Sequence, residues 1–228
     1  MVFTVFAFNY FLSALLRAVV ATLAPEFARE LQLGAGELGL LAGAYFLGFA
    51  CMQLPVGWML DRYGARQVLL ALLAVAVVGC VGFALARSFG QLVLARLLIG
   101  MGVSASLMAP LAAFLRLFDR PLQLRLTSWM LMSGSLGMVA STLPVQALLP
   151  ALGWRNLFYG LAAALVAACA LVAAVAPHDH SARSAQQVVG GYAEIVRHPV
   201  FVQSWPLAYF TYGGLIAVQS LWAGPWLT

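Results

Sequence analysis

Seven stretches of this chain are each long and apolar enough to cross a hydrocarbon layer, and nothing else in the sequence limits its fold as much. They cover roughly residues 3–24, 37–58, 67–86, 91–115, 124–148, 156–176 and 201–226. A spanning α-helix needs about 20 mostly apolar residues, because it rises about 1.5 Å per residue through a core about 30 Å thick. The short connections between the runs hold most of the charge. Charged residues make up 8% of the chain and hydrophobic ones 64%, whereas soluble domains carry about 25% charged residues. A water-soluble fold has too little polar surface here to cover itself. No run alternates between two faces with a period of two, which argues against a membrane β-barrel. The fold class is therefore all-α integral membrane, with the lipid bilayer as the chain's solvent.

The longest polar stretch runs from Pro177 to Pro199 and separates the first six runs from the seventh. It divides the chain into a bundle at 1–176, a linker at 177–199 and a seventh membrane helix at 200–228. Every basic residue is arginine. If the N-terminus is inside, the inner connections hold Arg62, Arg66, Arg116, Arg120, Arg125, Arg183 and Arg197, against Arg29, Arg87 and Arg155 outside. Arginine accumulates on the cytoplasmic side, so the N-terminus and the linker are expected there, in a cell (inner) membrane. The net charge of +5 reports this topology. The arginines are spread among connections rather than grouped on one helix, which gives no reason to expect nucleic acid. Cys51, Cys80 and Cys169 all lie inside apolar runs without metal-ligand spacing and read as packing residues. His178 and His180 flank Asp179 in the linker, where a solvated loop is the expected role rather than a metal site. No nucleophile–base pair or metal cluster falls within the helices, so neither enzyme chemistry nor a cofactor is expected.

The connection between the second and third runs reads "GWMLDRYGARQVL", Gly57 to Leu69. Gly57 and Gly64 permit a tight turn and close helix approach. Asp61 suits a helix N-terminus, and Arg62 and Arg66 suit carboxylates or anionic headgroups. The spacing Gly57-x-x-x-Asp61-Arg62-x-Gly64-x-Arg66 resembles the signature loop of the major facilitator superfamily. Ala65 stands where that pattern usually has a second basic residue. "RLLIGMG", Arg96 to Gly102, and "GWRNLF", Gly153 to Phe158, resemble that family's helix 4 motif and helix 5–6 turn. The resemblance implies twelve helices in two six-helix bundles around a cavity opened alternately to each side. Six helices, a linker and a seventh then correspond to the N-terminal bundle plus one helix, with the C-terminal bundle absent. It also implies that Gly57, Asp61, Arg62, Gly64 and Arg66 act as a conformational latch against the second bundle, with Arg66 pairing with Asp119.

Arg17 and Arg96 sit inside apolar runs, about 10 Å and 8 Å from the outer ends of their helices at 1.5 Å per residue. An arginine there costs about 2.5–3.5 kcal/mol on insertion scales, which makes each a functional candidate. The alternatives are that Arg17 snorkels outward and Arg96 binds backbone carbonyls. Asn9, Ser13 and Arg17 recur every four residues with Tyr10 beside them, one polar stripe on an apolar helix. Arg96, Gly100 and Ser104 make a similar face, Tyr45 and Gln53 a weaker one, and Tyr209, Tyr212 and Gln219 another on the seventh run. The expected substrate-binding set is Arg17, Asn9, Tyr10, Ser13, Arg96, Tyr45, Tyr212 and Gln219. The pattern Arg17, Pro25, Leu33, Gly39, Phe46, Gly48, Gln53, Pro55 and Gly57 resembles the anion:cation symporter branch and its organophosphate relatives, which implies a carrier for a small organic anion, possible coupling ion included. Leu16 and Val103 stand where that branch usually has acids. A proton-coupled efflux antiporter of the same superfamily and an inactive truncated membrane protein are the alternatives. The helix 5 sequence "SGSLGMVASTLP" has the glycines of such antiporters without their Gly-Pro pair.

Overall fold

The computed structural model describes residues 1–176 and 198–217. These are helical, with no strand among the described residues: α1 Val2–Leu31, α2 Ala35–Leu85, α3 Phe89–Val103, α4 Met108–Leu117, α5 Arg120–Ala140, α6 Leu143–Val175 and α7 Pro199–Ala217. The stretches Val2–Leu31, Ala35–Leu85, Phe89–Leu117 and Leu143–Val175 are each long and apolar enough to cross a membrane. The helices α1–α6 form one compact unit, and α7 belongs to a second.

The expected runs and the observed helices differ where glycine or proline redirects the chain. The 51 residues of α2 hold the second and third runs. They fold back on themselves at Gly64, whose φ of 78° and ψ of 165° are non-helical. That left-handed region costs a residue with a Cβ about 1–2 kcal/mol. Gly153, with φ 72° and ψ 160°, does the same inside α6. The fourth run is broken into α3 and α4 by a turn over residues 104–107. Pro110 has no N–H to offer the Ser106 carbonyl, so the chain tightens there. Ser104 and Ser106 donate to Met101 and Val103, three residues back, at 3.3 and 3.1 Å. The fifth run breaks at Ser141–Thr142, just before Pro144. There the Ser141 and Thr142 hydroxyls donate to the Met138 and Val139 carbonyls at 2.6 and 2.7 Å. Thr22 on α1 donates to the Ser141 carbonyl at 2.8 Å and ties that break to α1.

Small residues set the helix spacing. A Cβ on Gly100 would lie 2.1 Å from the Tyr45 carbonyl oxygen, and one on Gly48 would lie 2.3 Å from that of Leu97. A Cβ on Gly102 would meet the Ala76 nitrogen at 2.3 Å, and one on Gly79 the Ile99 nitrogen at 2.8 Å. So α3 lies with its backbone against both legs of α2. Gly134 and Gly137 bring α5 equally close to Tyr10 and to the Phe11 carbonyl of α1. Between lipid-exposed helices apolar burial gives little driving force, so such close backbone packing holds the bundle. Aromatic rings fill both ends. Phe83 stacks on Phe158 at 4.1 Å beside Phe27 and Trp154, and Phe6 meets Phe114 at 6.1 Å. Large apolar side chains such as Leu54, Leu115, Trp129 and Leu143 point outward and exposed, as hydrocarbon surroundings permit.

Candidate functional site

The polar stripe of α1 does not form one open face. Asn9 and Ser13 are buried among the helices of the bundle, and Tyr10 packs against Gly134. Tyr45 is fully buried as well, stacked on Phe49. These four were expected to line the cavity. Helical periodicity identifies a face but not its neighbour, and here the neighbours are the other helices of the same bundle. Ser104 is buried too, its hydroxyl donating to the Met101 carbonyl at 2.6 Å. Arg17, next on the stripe, is only half-buried. Its guanidinium carbon lies 5.9 Å from the centre of the Phe49 ring, on the edge of the α1 face that leaves Phe8, Ala21 and Pro25 exposed.

Arg96 is 2% exposed. Its two terminal nitrogens donate to the Leu16 and Arg17 carbonyls at 2.7 and 2.8 Å, and its guanidinium carbon stands 4.5 Å above the Tyr45 ring. The arginine expected as a second ligand is instead committed to the backbone of α1, held face-on by an aromatic ring. It cross-links α3 to the turn of α1 that carries Arg17. Hydrogen bonds from a charged donor contribute about 1.5–3 kcal/mol each.

The signature loop lies at the end of the bundle shared by Gly64, Asp119 and the end of α6. Arg62 stacks over Trp58 and Tyr63, at 5.4 and 5.8 Å from their centres. Arg66 donates a terminal N–H to the Ala173 carbonyl near the C-terminus of α6. The turn at Gly64 brings Arg66 to the last turn of α6, where carbonyls lack helical partners. Asp119 is the N-cap of α5.

The opposite end carries a cluster that the sequence reading missed. Arg155, two residues after Gly153, donates to both Glu30 carboxylate oxygens, at 2.5 and 2.7 Å, and to the Ala86 carbonyl at 3.1 Å. The Trp154 indole N–H donates to Glu30 at 2.8 Å, and Arg155 lies 4.1 Å over the Trp154 ring. Each arginine thus follows a left-handed glycine and caps a helix end from the other half of the bundle. The recurrence of Gly-x-Arg at 64–66 and 153–155 was the signal that could have revealed the cluster.

On α7 the exposed Tyr209 meets Trp205 and Phe210 edge to face. The side chain of Tyr212, and all of Gln219, His178, Asp179 and His180, lie outside the described residues. Among the described residues no grouping of His, Cys, Asp or Glu is arranged to hold a metal ion.

The sequence model of the Major Facilitator Superfamily matches residues 6–227. A protein of Cupriavidus necator named "Probable sulfoacetate transporter SauU" is 29% identical over 195 residues, covering 82% of this chain and 44% of that protein. A Salmonella typhimurium protein named for multidrug resistance, MdtD, is 32% identical over 96 residues, covering 42% of this chain and 20% of its own length. The chain spans less than half the length of these relatives.

Proposed function

This chain belongs to the major facilitator superfamily, and from that premise we propose that it builds one side of a carrier moving a small organic anion across a membrane by alternating access. Arg17 carries the proposal. It is a half-buried intramembrane cation beside an exposed face of α1, whereas Arg96 is buried and bound to the backbone. A guanidinium suits a carboxylate, sulfonate or phosphate because its fork donates two parallel hydrogen bonds. The similarity to a protein named for sulfoacetate, over 82% of the chain, supports an acidic substrate. In this reading Arg17 binds the acidic group, Phe49 shields it, and Arg96 and Tyr45 hold the supporting turn of α1. Tyr212 and Gln219 are kept as proposed substrate contacts.

The loop from Gly57 to Arg66 is the proposed latch, in an inner membrane with the N-terminus cytoplasmic. Its test is Asp61→Asn, which should shift the carrier toward inward-facing forms; unchanged uptake would remove the latch. The similarity to MdtD favours a second reading, proton-coupled efflux, over the shorter region that it covers.

The deciding experiment compares Arg17→Lys and Arg17→Gln in the complete protein, reconstituted into vesicles with organic anions outside. Loss of a charged hydrogen bond of about 1.5–3 kcal/mol weakens binding roughly 10–150-fold. Arg17→Gln should lose anion uptake, and Arg17→Lys should retain part of it. Unchanged affinity in Arg17→Gln would remove the anion site and leave efflux as the better reading.

A further inference from the structure

The membrane interior of this bundle contains two cations and no acid. The chain's acids are Glu26, Glu30, Glu37, Asp61, Asp119, Asp179 and Glu194. Glu26 pairs with Arg29, Glu30 with Arg155, and Glu37 accepts from the Gly34 N–H. Asp61 precedes the turn at Gly64, and Asp119 stands at the N-cap position of α5. The remaining two belong to the 177–199 stretch. Every described acid therefore sits at a helix end.

Arg96 is the unusual member of the pair. It is buried, and its partners are two carbonyls and a ring face. The carbonyls accept from its two terminal nitrogens while its Nε has no partner among the described residues, and none of these groups carries a net charge, so its positive charge stays uncancelled. One of its nitrogens is 2.8 Å from the carbonyl oxygen of Arg17 itself. The two positive charges are thus separated by at most about the length of one arginine side chain plus a hydrogen bond, and buried Arg96 is screened poorly. A bound anion on Arg17 would feel both.

Resting on the reading of Arg17 as an anion ligand, we infer that the site selects small anions carrying two negative charges over monoanions of the same shape. Arg17 grips one acidic group directly. Arg96 stays behind α1 and attracts the whole ligand through space, and its uncancelled charge favours the second negative group. Arg96 is a positioning and charge-setting residue that does not touch the substrate. The ligand class is a short chain with two ionised acidic groups, such as a dicarboxylate or a sulfonate-carboxylate.

The test uses the complete protein and two matched pairs of probes at neutral pH: sulfoacetate with sulfoacetamide, and succinate with succinamate. Members of a pair match in size and differ by one charge. The divalent member should bind about ten-fold more tightly, the attraction of two cations being partly offset by the desolvation of the second charge. Arg96→Gln should reduce that ratio toward one, while Arg96→Lys keeps it. Should Arg96→Gln fail to fold, acidification of the unmodified protein serves instead: protonating one succinate carboxylate should bring succinate to the affinity of succinamate. Equal or tighter binding of the monoanions would overturn this inference and leave the anion site standing. Failure of all four probes to bind would overturn both.

Discussion

Replacing Gly102 by alanine adds one methyl group at one of the tightest helix contacts in the bundle. That Cβ would lie 2.3 Å from the Ala76 nitrogen and 2.6 Å from its Cα and Cβ. Non-bonded heavy atoms rest at about 3.5–4.0 Å, so α3 and the second leg of α2 must part by roughly 1 Å. They cannot part locally, because Gly79 fixes a neighbouring point of the same interface, and Gly48 and Gly100 hold α3 equally close to the first leg. Overpacking of this kind costs about 1–3 kcal/mol. Alanine in a helix returns about 0.8–1 kcal/mol of propensity, leaving a net loss of up to about 2 kcal/mol. Gly160→Ala is the control. It lies within α6 with nothing inside 4 Å of its added Cβ, so it should keep only the propensity gain. Thermal unfolding of the detergent-solubilised protein, followed by tryptophan fluorescence, separates the two at about 2–4 °C per kcal/mol for a chain of this size. Gly102→Ala should melt lower and Gly160→Ala slightly higher than the unmodified protein. Equal shifts for both would refute the claim that backbone contact at these glycines holds the bundle.

Gly153→Ala should lose about 1–3 kcal/mol through backbone strain alone, since φ 72° with ψ 160° is populated almost only by glycine and no atom lies within 4 Å of the added Cβ; an unfolding midpoint equal to that of the unmodified protein would contradict this. Glu30→Gln and Arg155→Gln, singly and together, should give a coupling of at most about 1 kcal/mol, because both partners are partly exposed; added salt should shrink it, and salt-independent coupling would contradict a screened ion pair. In a cysteine-free background, Ser88→Cys should react with an impermeant thiol reagent in intact cells and Arg120→Cys only after permeabilisation; the reverse pattern would invert the proposed orientation.

Much of the fold was legible from one dimension. Apolar runs of the right length announce membrane helices without reference to anything they pack against, because the bilayer supplies that constraint. The two left-handed glycines were legible in part, since the sequence marked Gly64 and Gly153 as turns. The family resemblance rested on those same turns and on Arg96 to Gly102, and the match over residues 6–227 carries it. Breaks within the fourth and fifth runs were not foreseen. Pro110 and Pro144 were visible, but whether a proline kinks a membrane helix depends on what satisfies the freed carbonyls.

The site divides differently. The sequence determined which residues are polar in an apolar setting: Asn9, Ser13, Arg17, Tyr45 and Arg96. Only the tertiary structure decided what surrounds each of them. Asn9, Ser13 and Tyr45 turn inward, Arg96 spends its donors on the Leu16 and Arg17 carbonyls, and Arg17 alone of the five remains at an exposed edge. Likewise Arg66 and Arg155 were both visible as connection arginines, yet Ala173, Ala86 and Glu30 became their partners only when distant segments met. The physical reason is that periodicity fixes the direction of a side chain about its own helix, whereas its hydrogen-bond partner lies on another helix whose approach is set by small residues many positions away.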